Sequence, residues 1–343
     1  TVRANIDNKI TNWLDIGLTS IFSHRDPSGQ EADVNQAYRS SPFGIYYDAD
    51  GIPTRYIVSD ENAVTNPLYN TYFTTNIQKS DNLFSNFFVI VDFPFLKGLS
   101  YRLNFSPNYR WSNNYNFTRQ DTRRKDNMTS GSKVNSNNFD WVLENIVSYK
   151  RDFGPNHSVD VTLLYGRNHS EYESTTASAT QFSTDVLEFN NLGLGSIFTV
   201  ASSASGSEGI SSMARVNYQF MKRYMLTLTA RRDGSSVFAT NEKWATFPSA
   251  ALGWMISDEP FMKTISFIDI LKLRLSYGSI GNQAIAPYQS LSLSTLQRYV
   301  FGDGGTSSLG FVKNTLGNDD LKWESTYTTN GAVDFSLFKQ RIS

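Results

Sequence analysis

"DILKLRLSYGSIGNQ", Asp269 to Gln283, decides the fold. Leu271, Leu273, Leu275 and Tyr277 alternate with Lys272, Arg274, Ser276 and Gly278. Successive side chains of a strand point to opposite faces, so this stretch makes a strand with one apolar side and one charged side. A strand buried on both faces would read as a continuous apolar run, and a loop would not keep the period. The same period-2 pattern returns along the chain. Leu99, Tyr101, Leu103, Phe105, Tyr109 and Trp111 alternate with Ser100, Arg102, Asn104, Ser106, Asn108 and Arg110. Ala214, Val216, Tyr218 and Phe220 alternate with Arg215, Asn217 and Gln219.

Strands are expected at 2–10, 14–25, 83–94, 99–112, 137–151, 156–171, 209–221, 224–236, 244–257, 269–280 and 321–337. They exceed the ~5–6 residues usual in soluble sheets. Short turns at Thr11–Trp13, Phe95–Gly98, Asp152–Pro155 and Lys222–Arg223, with a longer one at Asp258–Ile268, alternate with long connections at 26–82, 113–136, 172–208 and 281–320. The exception is a brief connection at Ala239–Lys243. Short turns on one side and long loops on the other are the signature of an outer-membrane barrel. A strand at 288–300 would break that parity as a crossing, so 281–320 is read as one loop, with room for its own hairpin.

This gives eleven crossings. In hydrocarbon an unpaired sheet edge leaves peptide groups unsatisfied, at several kcal/mol each. Single-chain bacterial barrels also have an even strand number. The expectation is therefore an all-β, antiparallel transmembrane β-barrel segment, its apolar side chains on lipid and Lys272, Arg274 and Ser276 in a wet lumen.

Composition narrows the function. Lys+Arg 31 against Asp+Glu 32 leaves a formal net charge of -1, without the basic excess of a nucleic-acid binder. The longest apolar run, Phe87 to Val91, is far short of the ~20 residues of a spanning helix. Aromatic content of 14% suits rings anchored at a lipid–water boundary. With Cys 0, disulfides and thiol chemistry are excluded. The three histidines, His24, His157 and His169, show no metal-ligand spacing. No G-x-S-x-G elbow is present, and no cofactor is expected. "DADG" (Asp48–Gly51) and "GDGG" (Gly302–Gly305) lack the calcium-loop spacing and read as turns; "LGLGSI" is not followed by a helix. The Asn-x-Ser/Thr matches at Asn104, Asn116, Asn127, Asn156 and Asn168 are chance in a bacterial host. Thr1 is not preceded by a basic, apolar leader, which suggests a removed leader or an internal segment.

Three motif-bearing stretches carry a family resemblance. They are "RRDGSSVFATNEKWATFPSAALGWMISDEPFMK" (Arg231–Lys263), "LKLRLSYGSIGNQ" (Leu271–Gln283) and "LGNDDLKWESTYTTNGAVDFSLFKQRIS" (Leu316–Ser343). In order they read Arg-Asp-Gly-Ser-Ser, Trp-x-x-Phe-Pro-Ser, Gly-Trp, Glu-Pro-Phe, Ser-Tyr-Gly-x-x-Gly-Asn and Leu-Lys-Trp-Glu. This C-terminal half resembles the SusC/RagA-type TonB-dependent outer-membrane transporters, and the N-terminal half is similar more weakly. Val237 departs from the Arg that the family commonly carries before the Phe. The resemblance implies a roughly 22-stranded barrel with an internal plug. It also implies a SusD-like surface lipoprotein over the long loops and drive from TonB–ExbB–ExbD through the plug. All of 1–343 would then be part of one barrel domain in the outer membrane, with the plug and the last barrel strands lying outside it.

Each motif also has a physical reading. Trp244, Phe247 and Trp254 suit interfacial girdle positions at the two ends of one strand. Pro248 belongs near a strand end, since it donates no ladder bond.

The expected activity is import of glycans or peptides, without catalytic residues. A passive pore or adhesin, and a soluble β-rich carbohydrate-binding module, remain as alternatives. Lumen-facing Arg102, Arg110, Asp160, Arg215, Arg231, Lys272 and Arg274 are candidates for a substrate path or for plug contact; a hydrated wall of mutual salt bridges is the bland reading. Tyr38, Phe43, Tyr46, Tyr47 and Tyr69 in the first long loop suit stacking on sugar rings, packing within the loop, or contact with the lipoprotein. The basic run Arg119–Asn127 reads either as a grip on an anionic ligand or as a solvated loop.

Overall fold

A computed structural model of the chain describes residues 1–58, 63–121, 128–301 and 304–342. Its strands are β1 (Val2–Thr11), β2 (Leu14–Arg25), β3 (Thr74–Asp92), β4 (Leu99–Thr118), β5 (Ser130–Phe153), β6 (His157–Thr180), β7 (Ile197–Phe220), β8 (Tyr224–Ser235), β9 (Trp244–Met255), β10 (Ile268–Asn282), β11 (Leu293–Val300), β12 (Ser307–Thr315) and β13 (Glu324–Leu337). Eleven form one sheet in the order β1-β2-β3-β4-β5-β6-β7-β8-β9-β10-β13. Every pairing is antiparallel between chain neighbours, the hairpin β11–β12 being a separate two-stranded sheet inside the connection from β10 to β13. The parity argument anticipates that hairpin. Among the described residues β1 and β13 each pair on one side only, so the sheet is a segment of a larger barrel.

Register aligns the faces across strands. Leu273 lies opposite Trp254 and Val333, and Leu275 opposite Leu252 and Gly331. Leu252 in turn faces Leu226, which faces Tyr218. The other face carries Arg274 against Gly253 and Ala332, and Lys272 against Met255 and Asp334. On β4, Tyr109 and Trp111 sit with ring centroids 4.2 Å apart, and Tyr109 lies 5.6 Å from Phe139 of β5. From Tyr101 to Trp111 is ten residues, ~33 Å along the strand, which a ~45° tilt reduces to about the ~25 Å apolar band of an outer-membrane barrel.

The strands run further than the alternation predicts. β5, β6 and β7 have 24 residues each, ~80 Å of strand and ~55 Å of height at that tilt, about twice the band. Residues 113–118, 130–136, 172–180 and 197–208, read from sequence as loop, are paired strand. There the first outward positions turn polar: Asn113, Asn135 and Asn137 follow Trp111 and Phe139. The segment 181–196 folds back onto this outward face. Phe117 is fully buried, edge-on to Phe182 at 5.1 Å, and the Thr129 hydroxyl accepts from the Phe182 amide at 2.7 Å. Glu188 accepts from Arg119 at 2.6 Å and from the Thr75 hydroxyl at 2.8 Å. Lys133 covers the Tyr115 ring at 4.6 Å.

The periplasmic rim explains two motifs. Buried Glu259, of Glu-Pro-Phe, accepts hydrogen bonds from the Tyr224 hydroxyl (2.6 Å), Trp254 Nε1 of Gly-Trp (3.0 Å) and Arg223 (3.2 Å). The Tyr224 hydroxyl bond, followed by that from Trp254, holds its carboxyl below the ordinary range against the cost of burial, and Arg223 adds to the effect. Gly98 closes the β3–β4 turn at φ +92, where a Cβ would strike the Lys150 carbonyl. Trp244 and Trp254 occupy the two ends of β9 on the lipid face, as expected. Pro248 is a correction: it lies inside β9, in register with Ala230 of β8, rather than near the strand's end, and it is the ladder on the other side, to β10, that stops next to it at Ser249 and Gly278.

Candidate functional site

The polar face of the sheet is the candidate site, because alternation turns every strand's charged side toward one lumen. Arg102, Arg110, Asp160, Arg215, Arg231, Lys272 and Arg274 all share it. They are spread over five strands rather than gathered at a point. Arg274 donates twice to Asp334 of β13, at 2.7 Å each. Arg231 Nε reaches Asp233 at 2.7 Å and its terminal nitrogen reaches Ser211 at 3.0 Å. Arg215 donates to the Thr229 hydroxyl at 3.2 Å. Arg102 donates to Asn104 at 2.8 Å and lies 5.1 Å over the Phe88 ring. Asp160 stands in register with Lys150 and Asn217, and Arg110 with Asn138, which donates to Asp140. Glu324 accepts from Asn282 at 3.0 Å. The wall is thus charged but largely self-neutralised, polar without a strong field of either sign.

One concavity stands out toward the extracellular end of this wall. It holds about 470 Å³, and Arg215, Arg231, Asp233, Phe247, Ser279 and Trp323 line it. Phe247 is a correction to the girdle reading. It is buried on the lumen face in register with Arg231, and its ring lies where a Cβ on Gly281 would have to be. Counting by two from Trp254 reaches Trp244 and leaves Phe247 on the other side. Trp323 packs edge-on to Phe247 at 5.6 Å and lies 4.8 Å from Phe238, and its Nε1 donates to the Lys243 carbonyl at 3.0 Å. Residues 321–323, read as strand, turn inward to make this contact, and β13 starts at Glu324. Four of the quoted motifs meet here: Phe247 and Gly281 with Trp323, beside Asp233. Buried Val237 joins Phe238 and Ala239 in the short β8–β9 connection, an apolar setting for the position where the family commonly has Arg.

The first long loop holds two short helices, α1 (Val34–Arg39) and α2 (Tyr69–Phe73), around a small core of Ile57, Val64 and Phe73. Asn66, buried there, donates to the Tyr46 carbonyl at 2.7 Å. The five loop aromatics divide. Tyr46 is half-buried with its hydroxyl on the Ser41 carbonyl at 3.3 Å, and Tyr69 donates to Asp121 at 2.8 Å. Tyr38 and Phe43 stand out, 86% and 95% exposed, with Tyr47 half exposed. Asp48 caps its own turn, accepting from the Asp50 and Ile52 amides at 3.0 and 2.8 Å, so "DADG" is a turn. Of the basic run, residues 122–127 lie outside the described residues, as do Gly302 and Asp303 of "GDGG". Among the described residues no group of three His, Asp or Glu is placed to hold a metal.

Residues 17–343 match the family model "TonB dependent receptor-like, beta-barrel". TonB-dependent receptor P39 of Formosa agariphila is 34% identical over 100% of this chain and 32% of its own length. SusC of Bacteroides thetaiotaomicron is 40% identical over 39% of this chain and 14% of its own length. The solved RagAB peptide transporter superposes with a TM-score of 0.81 at 20% identity, over 99% of this chain and 38% of that one, a likeness of fold. The chain spans about a third of the length of the full-length curated relatives it matches. It belongs to the TonB-dependent receptor β-barrel family, a family of outer-membrane receptors and transporters rather than of enzymes.

Proposed function

We propose that this chain forms the middle of the barrel of a SusC-type importer, moving glycans or peptides across the outer membrane. The observation that carries the reading is the self-neutralised lumen face: charges paired as Arg274–Asp334 and Arg231–Asp233 leave a hydrated wall that neither repels nor traps a polar solute. Neutral oligosaccharides and zwitterionic peptides both suit such a wall. Import would draw on TonB–ExbB–ExbD through a plug carried elsewhere in the protein.

The extracellular end supports a lipoprotein partner of SusD type. Tyr38 and Phe43 project from a loop that is fixed by its own core. Hairpin β11–β12 turns Leu296, Leu309 and Phe311 outward, 56%, 57% and 80% exposed. A lone two-stranded hairpin is marginal in water, so both surfaces suit a covering partner.

The test uses the full-length transporter gene in its host. Deletion should abolish growth on one glycan or peptide class, and loss of TonB should do the same. A lipoprotein should co-purify, and Tyr38→Ser with Phe43→Ser should weaken that association. Uptake unaffected by deletion or by loss of TonB contradicts the reading.

A further inference from the structure

The lipid-facing side of the sheet is not uniform. Between β6 and β10, at the periplasmic end, it sinks into a groove of about 700 Å³. Leu226, Leu252 and Leu275 make its floor, and Phe220, Tyr224 and Trp254 make its rim. The polar atoms at that rim are already paired: the Tyr224 hydroxyl and Trp254 Nε1 both go to Glu259, and the Tyr218 hydroxyl pairs with His157 Nδ1, also of the lining, at 2.8 Å. The groove is therefore dry. Farther up the same face a second hollow of about 430 Å³ continues over Val216, Leu228 and Ala250. From Tyr224 to Ala230 is ~20 Å of strand, or ~14 Å of depth at a ~45° tilt, close to half of the ~30 Å hydrocarbon core.

The mouth has matching charge. The turn between β7 and β8 sets Lys222 beside Phe220 and Tyr224, exposed and with no hydrogen bond or ion pair among the described residues. Its neighbour Arg223 is held by Glu259 at 3.2 Å. With Arg223 paired to Glu259, exposed Lys222 is the cation that the rim offers beneath an apolar slot one leaflet deep.

We propose that this groove retains one glycerophospholipid of the periplasmic leaflet, an acyl chain along Leu226 and Leu252 and the phosphate against Lys222. Lipopolysaccharide occupies the other leaflet, and a protein partner would leave the free cation at the mouth without a role.

Native mass spectrometry of the full-length transporter, extracted from outer membranes in mild detergent, tests this. The wild type should keep one phospholipid through delipidation. Leu252→Trp in the groove with Ala250→Phe in the hollow above it fills the slot and should cut its occupancy at least tenfold, while Leu18→Trp elsewhere on the same face should leave it unchanged. Lys222→Gln should lower occupancy severalfold. Heat-modifiable gel migration shows that each variant is folded. Equal occupancy in the groove-filled variant, a bound mass matching lipid A, or no lipid retained by the wild type overturns the proposal.

Discussion

The lower and upper halves of β4–β7 are one set of strands in two solvents. Below Trp111 and Phe139 the outward positions are Leu103, Phe105 and Leu143; just above them they are Asn113, Asn135 and Asn137, and the rings farther up, Tyr115 and Phe117, are covered by Lys133 and by the segment 181–196 rather than by lipid. The backbone ladder passes through that change without a break, from Leu99↔Tyr149 to Thr118↔Ser130. Pairing with neighbouring strands carries the sheet upward, while the medium decides which side chains it wears. The difference teaches that hydrophobic alternation reports where lipid is, and not where strand ends.

That comparison can be broken at its extremes. The upper half owes its order to what folds back on it, so Phe117→Ala should cost the most, ~3–5 kcal/mol for a fully buried ring, seen as local protease sensitivity at 181–196 while the lower sheet stays intact. Global loss of the barrel with Phe117→Ala would mean that the halves are not separable.

Next comes the lipid band itself. Leu275→Arg places a charge in hydrocarbon and should destabilise by ~2–4 kcal/mol in vesicle refolding titrations. Asn137→Arg, on the outward face above the band, should stay within ~0.5 kcal/mol. Equal costs would erase the distinction between the two regions.

The periplasmic rim responds to pH. The carboxyl of Glu259 titrates below its ordinary value because it accepts from Tyr224, Trp254 and Arg223. A depressed carboxylate contributes stability that is present above its unfolded value of ~4.3 and lost as pH falls through the folded value. Wild-type stability should therefore be flat near neutrality and fall below about pH 4.3, and Glu259→Gln should remove that acid-side component from a urea titration series. An unchanged acid limb in Glu259→Gln would assign it to other groups.

The smallest effect belongs to the lumen. Arg274 and Asp334 are 53% and 43% exposed, so Asp334→Asn should cost no more than ~1 kcal/mol and less at high salt. A larger loss would mean that the wall is dry where it is taken to be wet.

Legibility in the sequence follows the same physics. All eleven strands of the sheet were readable wherever an apolar and a polar side alternate, and turn parity placed β11–β12 in a loop. The upper strands were not readable, because Ser, Thr and Ala on both faces, as in Ser174–Thr180, leave no contrast to count. At the candidate wall, the shared face of the seven charged residues follows from period 2 alone. The Phe247–Trp323–Gly281 contact does not, since it joins positions far apart in the chain through a turn that no local pattern sets. Strict counting along β9 would still have moved Phe247 off the girdle.

Site-directed nitroxide labels at Leu275, Arg274 and Asn137 of the full-length receptor in native membranes test the central claim most directly. Leu275 should relax with oxygen and ignore an aqueous nickel reagent, while Arg274 and Asn137 should respond to the nickel reagent. A Leu275 label as wet as Asn137, or an Arg274 label as oxygen-rich as Leu275, would contradict the account.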